Sequence, residues 1–388
     1  MTTRFKESDS GEACRTSPKG IEGLLALDWS FAQRPAVSKL ESIHPYPAKF
    51  IGDIPAAFLN ELDVPPGTAV LDPFCGSGTT LVEAQKRGLP AIGVDLNPIA
   101  CLISRVKTSS IAPNFMHAVA NVVRDSKAQS NVVVPPIPRI DHWFKPEIKL
   151  AVSALSATIG LAKYSQWLDP LRLALSSILV RVSNQESDTR YAAIDKPVRS
   201  EDVYQGFVRA ANRLLGSLSE RDWPLTLARV IEADILSVTP DQIEIPIGLV
   251  VTSPPYPNAY EYWLYHKYRM WWLGFDPISV KQSEIGARAH FFKKNAHTAL
   301  HFSDQMRKTL TLMHDVLVPN GYACILVGRS KIHGEVVDNG SMLYELAPEL
   351  GLEPVCKFDR PIFEQRKSFN LSHANIKKET VIVLRKNL

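Results

Sequence analysis

No run in these 388 residues reaches the roughly 18–20 consecutive apolar side chains that a membrane span needs. Cysteine is scarce. The five (Cys14, Cys75, Cys101, Cys324, Cys356) are odd in number, widely spaced and never arranged as C-x-x-C, which argues against a disulfide framework and a structural zinc site. His44, His142, His266 and His373 lack metal-ligand spacing, so no metal is expected. Residues 1–20 are polar and charged without the apolar core of a secretion signal, and the chain reads as cytoplasmic. Charge of one sign is also in short supply: a net +4 permits nucleic-acid binding through a local patch without requiring it.

What is present is an α/β alternation. Ala69 to Leu71 is a short apolar run ending in Asp72-Pro73-Phe74-Cys75-Gly76-Ser77-Gly78-Thr79-Thr80. A helical stretch to about Arg87 follows, with Gly88 placed to stop it. Ala91 to Asp95 is then a second buried strand ending in an acid. This β-α-β unit opens a doubly wound, mostly parallel sheet. Further strands are expected at 229–231, 247–252 and 322–327, with closing strands at 352–358 and 380–384. A helix over 303–317 is expected to stop at Pro319-Asn320-Gly321. Between the second and third strands lie more than a hundred residues with three expected helices (146–159, 168–182, 201–218), entered through Pro135, Pro136 and Pro138 and left at Pro224. The chain therefore divides into a tail with a short lead-in helix (1–40), a catalytic unit (41–110 and 225–388) and a mainly helical insertion (111–224).

The first glycine-rich turn suits a charged, nucleotide-like ligand, since Gly76 and Gly78 let the backbone come close and the next helix presents free N–H groups. A phosphate loop would end in Gly-Lys-Ser/Thr, and here Thr79-Thr80 stands. A dinucleotide turn would carry a third glycine where Leu81 stands. A ligand without phosphates, such as S-adenosylmethionine, fits better. Asp95 sits where such folds place the acid that accepts both ribose hydroxyls; the plainer reading is a cap for the helix beginning near Pro98.

Ser253-Pro254-Pro255-Tyr256 follows the fourth strand. Its prolines lack N–H groups and fix φ, so the turn is rigid and offers mainly acceptors: the Ser253 hydroxyl and the Pro254 carbonyl. An exocyclic amine is a poor nucleophile because its lone pair is conjugated with the ring. Two acceptors gripping its hydrogens would draw the nitrogen toward sp³ and aim the lone pair at a methyl donor, with Tyr256 stacking on the base.

These residues resemble the bacterial DNA amino-methyltransferases of restriction–modification systems, the N4-cytosine and N6-adenine group. Asp72 to Thr79 is similar to that family's motif I, Gly93-Val94-Asp95-Leu96-Asn97 to motif II, Ala233-Asp234-Ile235 to motif III, Thr252 to Tyr256 to catalytic motif IV, and His44 to Phe50, including Lys49, to motif X. The resemblance covers roughly residues 40–110 and 229–385. It implies a Rossmann-like class I methyltransferase with antiparallel C-terminal closing strands, S-adenosylmethionine as cofactor, and double-stranded DNA as substrate with base flipping. A cognate restriction endonuclease would belong to the same system without being a necessary physical partner; the oligomeric state stays open. The implied cofactor contacts are Lys49, Asp72, Phe74, Cys75, Gly76, Gly78, Thr79, Asp95, Leu96, Asn97, Asp234 and Ile235. Ser253 in motif IV favours N4-cytosine over N6-adenine. Cytosine C5 chemistry would need a Pro-Cys nucleophile, and the chain has none. Two rivals are an RNA guanine-N2 methyltransferase and a catalytically silent DNA-binding module.

The motif order makes the insertion a candidate for target recognition, with scaffold the equal alternative. Candidate DNA contacts are Arg181 and Arg190 in the insertion and Arg366 in the basic loop 360–378. Others lie in an aromatic-basic patch after the catalytic loop, with Tyr262, Trp263, Lys267, Arg269 and Lys281. In that patch Trp271 and Trp272 are expected instead to pack their helix onto the sheet.

Overall fold

A computed structural model describes residues 19–33, 37–188, 190, 192–257, 260–291, 297–362 and 378–388. In chain order, α1 (Ile21–Ala26) and α2 (Asp53–Glu61) lead into β1 (Ala69–Asp72), α3 (Thr79–Lys86), β2 (Ala91–Asp95) and α4 (Pro98–Thr108). The insertion supplies α5 (Phe115–Lys127), α6 (Ile140–Trp143), α7 (Pro146–Ile159), α8 (Leu168–Val182) and α9 (Ser200–Ser219). Then come β3 (Ala228–Glu232), β4 (Ile247–Thr252), α10 (Tyr262–Trp272), α11 (Pro277–Ser283), α12 (Arg288–Phe291) and α13 (Ala299–Val316). The chain closes with β5 (Leu317–Val327), the hairpin β6 (Ser330–Ile332) and β7 (Glu335–Val337), α14 (Asn339–Leu346), β8 (Leu352–Pro361) and β9 (Lys378–Lys386).

Seven strands form one sheet in the order β3-β2-β1-β4-β5-β9-β8. The first five run parallel, and β9 pairs antiparallel with both β5 and β8. Because β9 alone is reversed, β8 runs with the parallel set. The inner strands β1 and β4 are buried along their whole length and apolar up to their last residues, Asp72 and Thr252, as expected of strands covered on both faces. Alternate residues divide cleanly: Val70, Leu249, Val251 and Leu326 meet α1–α3, while Leu71, Val250, Ile325 and Ile382 meet α13 and α14.

A third apolar cluster contains no strand residue. It joins Ile99, Leu102 and Val106 of α4 and Met270 and Trp272 of α10 to the insertion helices through Val119, Leu155, Leu175 and Phe207. The buried faces of α5, α7, α8 and α9 therefore act as scaffold, leaving only their outer faces open to a partner.

Two sequence expectations need correction here. Pro319-Asn320-Gly321 does not precede the fifth strand but lies within it. Leu317 already pairs with Ile247, and pairing resumes at Tyr322 opposite Leu249, so these residues form a bulge with Asn320 at φ 62°. Trp272 packs against the insertion rather than the sheet: its ring meets Phe144 edge-on at 5.3 Å, and its carbonyl accepts from Ser156 Oγ at 2.7 Å.

Candidate cofactor and catalytic cleft

The strand order reverses between β2-β1 and β1-β4, and a crevice opens beyond the carboxyl ends of these strands, where open α/β sheets place their ligands. The cleft encloses about 810 Å³ of space, part of it open to solvent.

The turn after β1 is shaped by its glycines. Gly78 has φ 77°, and a Cβ there would lie 2.7 Å from Ser104 Oγ and 3.0 Å from Ser104 Cα. Ser104 Oγ in turn donates to the Gly76 carbonyl at 2.8 Å, which fixes the turn against α4. Gly76 has φ 49°, and Tyr46 lies over it with its hydroxyl 3.3 Å from where a Cβ would stand.

Asp95 closes the turn from β2. Its Oδ2 accepts the Gly76 N–H at 2.8 Å and its Oδ1 the Asn97 N–H at 2.8 Å. An ionised carboxylate has about two acceptor sites per oxygen, so each oxygen keeps capacity facing the cleft. Burial pushes the Asp95 carboxyl up to about 6 against the pull of those two N–H groups, with Asp72 and Glu232 adding repulsion. Asn97 caps α4 by accepting the Ile99 N–H at 3.0 Å, with Pro98 in the first turn. Asp95 is thus not the cap of α4; its neighbour is.

Lys49, Phe74, Cys75, Gly76, Thr79, Asp95, Leu96, Asn97, Asp234 and Ile235 all line the cleft. Asp72 and Gly78 stand behind it. Asp72 is buried, and its Oδ1 accepts the Phe74 N–H at 3.1 Å and the Thr252 hydroxyl at 2.7 Å. That bond ties the end of β1 to the residue preceding Ser253. Burial pushes the Asp72 carboxyl up to about 6. Lys49 Nζ donates to the carbonyls of Glu41 (2.6 Å) and His44 (3.1 Å), and burial lowers its ammonium to about 8.

Ser253 and Pro255 stand in the same wall, while Pro254 is buried. Tyr256 is 9% exposed and belongs to the core beneath β4 and β5. Its Oη would lie 2.6 Å from a Cβ at Gly328, and its backbone carbonyl carbon 2.8 Å from one at Gly286. Two glycines therefore admit this tyrosine, and no larger residue fits at either place.

Tyr262, unlike Tyr256, lines the cleft, as do Tyr46, Phe50 and Phe74; it stacks on Tyr46 at 5.8 Å, and Tyr46 also stacks on His266 at 5.3 Å. Tyr262 was assigned to the DNA patch by sequence, and the fold puts it in the cofactor cleft. Arg269 also leaves that patch. Its side chain is 1% exposed, it donates to the carbonyls of Ser176 and Tyr265 at 3.3 Å each, and it is paired with Asp188. A guanidinium buried between α10 and α8 is out of reach of a phosphate. Lys267 is half-buried on α10, with its ammonium 5.2 Å from the Tyr268 ring. Arg181 is exposed at the end of α8, and Arg190 is exposed and paired with Glu186 at 2.9 Å. Arg366 lies outside the described residues. Sequence reasoning missed Glu284, a buried carboxylate in the cleft wall that accepts the N–H groups of Tyr262 (2.9 Å) and Trp263 (2.7 Å).

A doubly wound sheet with one reversed strand near its edge, carrying a cleft that joins a glycine turn, an acid at the end of the second strand and a Ser-Pro-Pro-Tyr loop, is the architecture of the class I methyltransferase fold. Residues 27–105 match the DNA methylase family of N6/N4 methyltransferases. The Type II methyltransferase M.MvaI of Kocuria varians is 26% identical over 241 residues, covering 56% of this chain and 53% of that protein. The Type II methyltransferase M.BsoBI of Geobacillus stearothermophilus is 23% identical over 283 residues (63% and 55%). M.MjaII of Methanocaldococcus jannaschii is 40% identical over 87 residues (21% and 16%). Over these stretches the chain is similar to DNA amino-methyltransferases of restriction–modification type. It spans about half the length, or less, of these relatives.

The residues present in this cleft fit S-adenosylmethionine as a methyl donor. Asp95 has acceptor capacity for ribose hydroxyls, and Asn97 Nδ2 is buried in the wall without a partner. Among the described residues no group of three or more histidine, cysteine, aspartate or glutamate side chains is arranged to hold a metal, and no helix is long and apolar enough to cross a membrane.

Proposed function

We propose that this chain methylates the exocyclic amine of a base in double-stranded DNA, with N4 of cytosine the favoured position. The observation that carries the proposal is the shared wall: Ser253 and Pro255 face the cleft that Asp95 and Asn97 line, and the Asp72–Thr252 hydrogen bond fixes the two loops relative to each other. When bound, the donor supplies an electrophilic methyl group. The chain's own task is to present the amine: Ser253 Oγ and the Pro254 carbonyl accept its two hydrogens and weaken the conjugation of its lone pair. No thiol is needed, and burial holds the Cys75 thiol well above its ordinary pKa, where it stays protonated. A base inside a duplex cannot reach such a crevice, so the target has to leave the stack.

One experiment tests both the class and the base. Transfer of a labelled methyl group to duplex DNA, followed by digestion to nucleosides and mass identification, should return N4-methylcytosine. N6-methyladenine would keep the class and overturn the base, and transfer to RNA alone would overturn the DNA assignment.

Site selection belongs in this reading to the outer face of the insertion. The Arg190–Glu186 pair is exposed and contributes at most about 1 kcal/mol to the fold. Arg190→Ala should therefore leave the melting temperature and donor affinity unchanged. It should weaken or relax methylation of the preferred site by about 1–3 kcal/mol if the guanidinium reads a base edge. Unchanged methylation across a range of salt would remove Arg190 from the interface.

A further inference from the structure

We propose that Glu284 is the residue by which the cleft recognises the positive charge of its donor, and so separates the sulfonium-bearing substrate from the neutral thioether product. The inference rests on the donor assignment above. Glu284 follows the last residue of α11, is 7% exposed and lines the cleft. Both its oxygens are aimed by the first N–H groups of α10, from Tyr262 and Trp263. Among the described residues no lysine, arginine or histidine is ion-paired with it.

The charged groups in the cleft wall are three carboxylates (Asp95, Asp234, Glu284) and one ammonium, Lys49. Lys49 is turned toward the Glu41 and His44 carbonyls. The wall is thus short of positive charge, and a buried carboxylate without a cation is costly to keep. In the empty cleft a proton can balance it, and a cationic ligand can take that proton's place. A sulfonium donor brings a positive charge; the product, having lost its methyl group, does not.

The plainer role is a remote cap. The residue before α10, Glu261, makes no side-chain cap of its own, and Glu284 fills that position. A cap needs an acceptor but not a charge, and it has no need to face the cleft. The environment of Glu284 follows from its neighbours: burial pushes its carboxyl up to about 8, the Trp263 and Tyr262 N–H groups pull it back, and Glu261 and Asp95 repel it further. Tyr46, Tyr262 and Cys75, the other titratable groups of this wall, are held neutral by burial. At neutral pH Glu284 therefore holds a proton, which a nearby cation would expel.

Calorimetric titration of wild type and Glu284→Gln with S-adenosylmethionine and with S-adenosylhomocysteine tests the proposal. The variant should lose about tenfold or more in affinity for the sulfonium ligand and less than about threefold for the thioether. Equal losses for both ligands, or no loss for either, would overturn it and leave the cap. Should the variant fold poorly, infrared difference spectra of the wild type at neutral pH decide. A protonated-carboxyl band should vanish on adding the sulfonium ligand and persist with the thioether; its persistence with both overturns the proposal. Wild type binding neither ligand would instead bring down the donor assignment itself.

Discussion

Replacing Asp95 by alanine should lower affinity for S-adenosylmethionine by about a hundredfold or more. Two ribose hydroxyls lose a charged acceptor, at about 1.5–3 kcal/mol each, and about 1.4 kcal/mol is tenfold in binding. A second effect acts in the same direction. The Gly76 and Asn97 N–H groups, which Asp95 now accepts at 2.8 Å each, lose their partner, and the turn loses its template. Asp95→Asn separates the two effects, because an amide keeps one acceptor oxygen and the shape but not the charge. It should bind more weakly than wild type and more strongly than the alanine variant.

The wild type also carries its own control in pH. Burial sets the Asp95 carboxyl at about 6, and only its ionised form accepts both ribose hydroxyls. The part of donor affinity that Asp95 supplies should be full above about pH 7 and fall as pH drops through about 6, because protonation then competes with the ligand. Asp72 is set at about the same value by burial, but it does not face the cleft, so the Asp95→Asn variant should lose most of this dependence. Calorimetry showing undiminished affinity in a folded Asp95→Ala protein would sink the ribose assignment.

Much of this fold could be read from the chain because its signals are local. Each inner strand is a short apolar run closed by an acid or a turn, and the insertion helices carry apolar residues at spacings of three and four. Gly88 ends α3 with φ 71°, as a glycine in that place does. The glycine turn, Asp95 and Ser253 were also legible, since each sits beside a strand end.

The errors fall where burial is decided by contacts remote in sequence. Helix α10 mixes aromatics and cations around its whole circumference, so nothing local says that Arg269 faces inward. The insertion, packing on it from residues a hundred positions earlier, decides that. Glu284 gives no local signal because it caps a helix that begins 22 residues before it. Pro319-Asn320-Gly321 has the chemistry of a turn, and only pairing with β4 on either side of it makes it a bulge.

The catalytic loop carries the other large expected effect. Ser253→Ala should leave donor affinity within a few-fold of wild type and lower turnover by about a hundredfold or more. The hydrogen bond from the target amine to Ser253 strengthens as the nitrogen becomes pyramidal, so its loss is felt mainly in the transition state. Removing a single preorganised partner of a developing charge costs about that much elsewhere. Tyr256 requires a different design, because its ring is packed into the core against Gly328. Tyr256→Ala would open a cavity costing about 3–5 kcal/mol of stability, a quantity separate from the about 1–3 kcal/mol of base binding that a lost stacking partner costs. Tyr256→Phe keeps the ring and the packing, and should keep both stability and base capture near wild type if stacking is the ring's role.

Placing the target opposite an abasic site removes most of the work of extruding it. Single-turnover methylation of that substrate should partly rescue Tyr256→Ala and should not rescue Ser253→Ala, whose defect lies after capture. If Ser253→Ala turns over as fast as wild type on either substrate, the amine is activated by something other than this hydroxyl. The buried Pro254 would then leave its carbonyl as the acceptor to examine next, since it is the one remaining partner that the Ser-Pro-Pro-Tyr turn assigns to the amine.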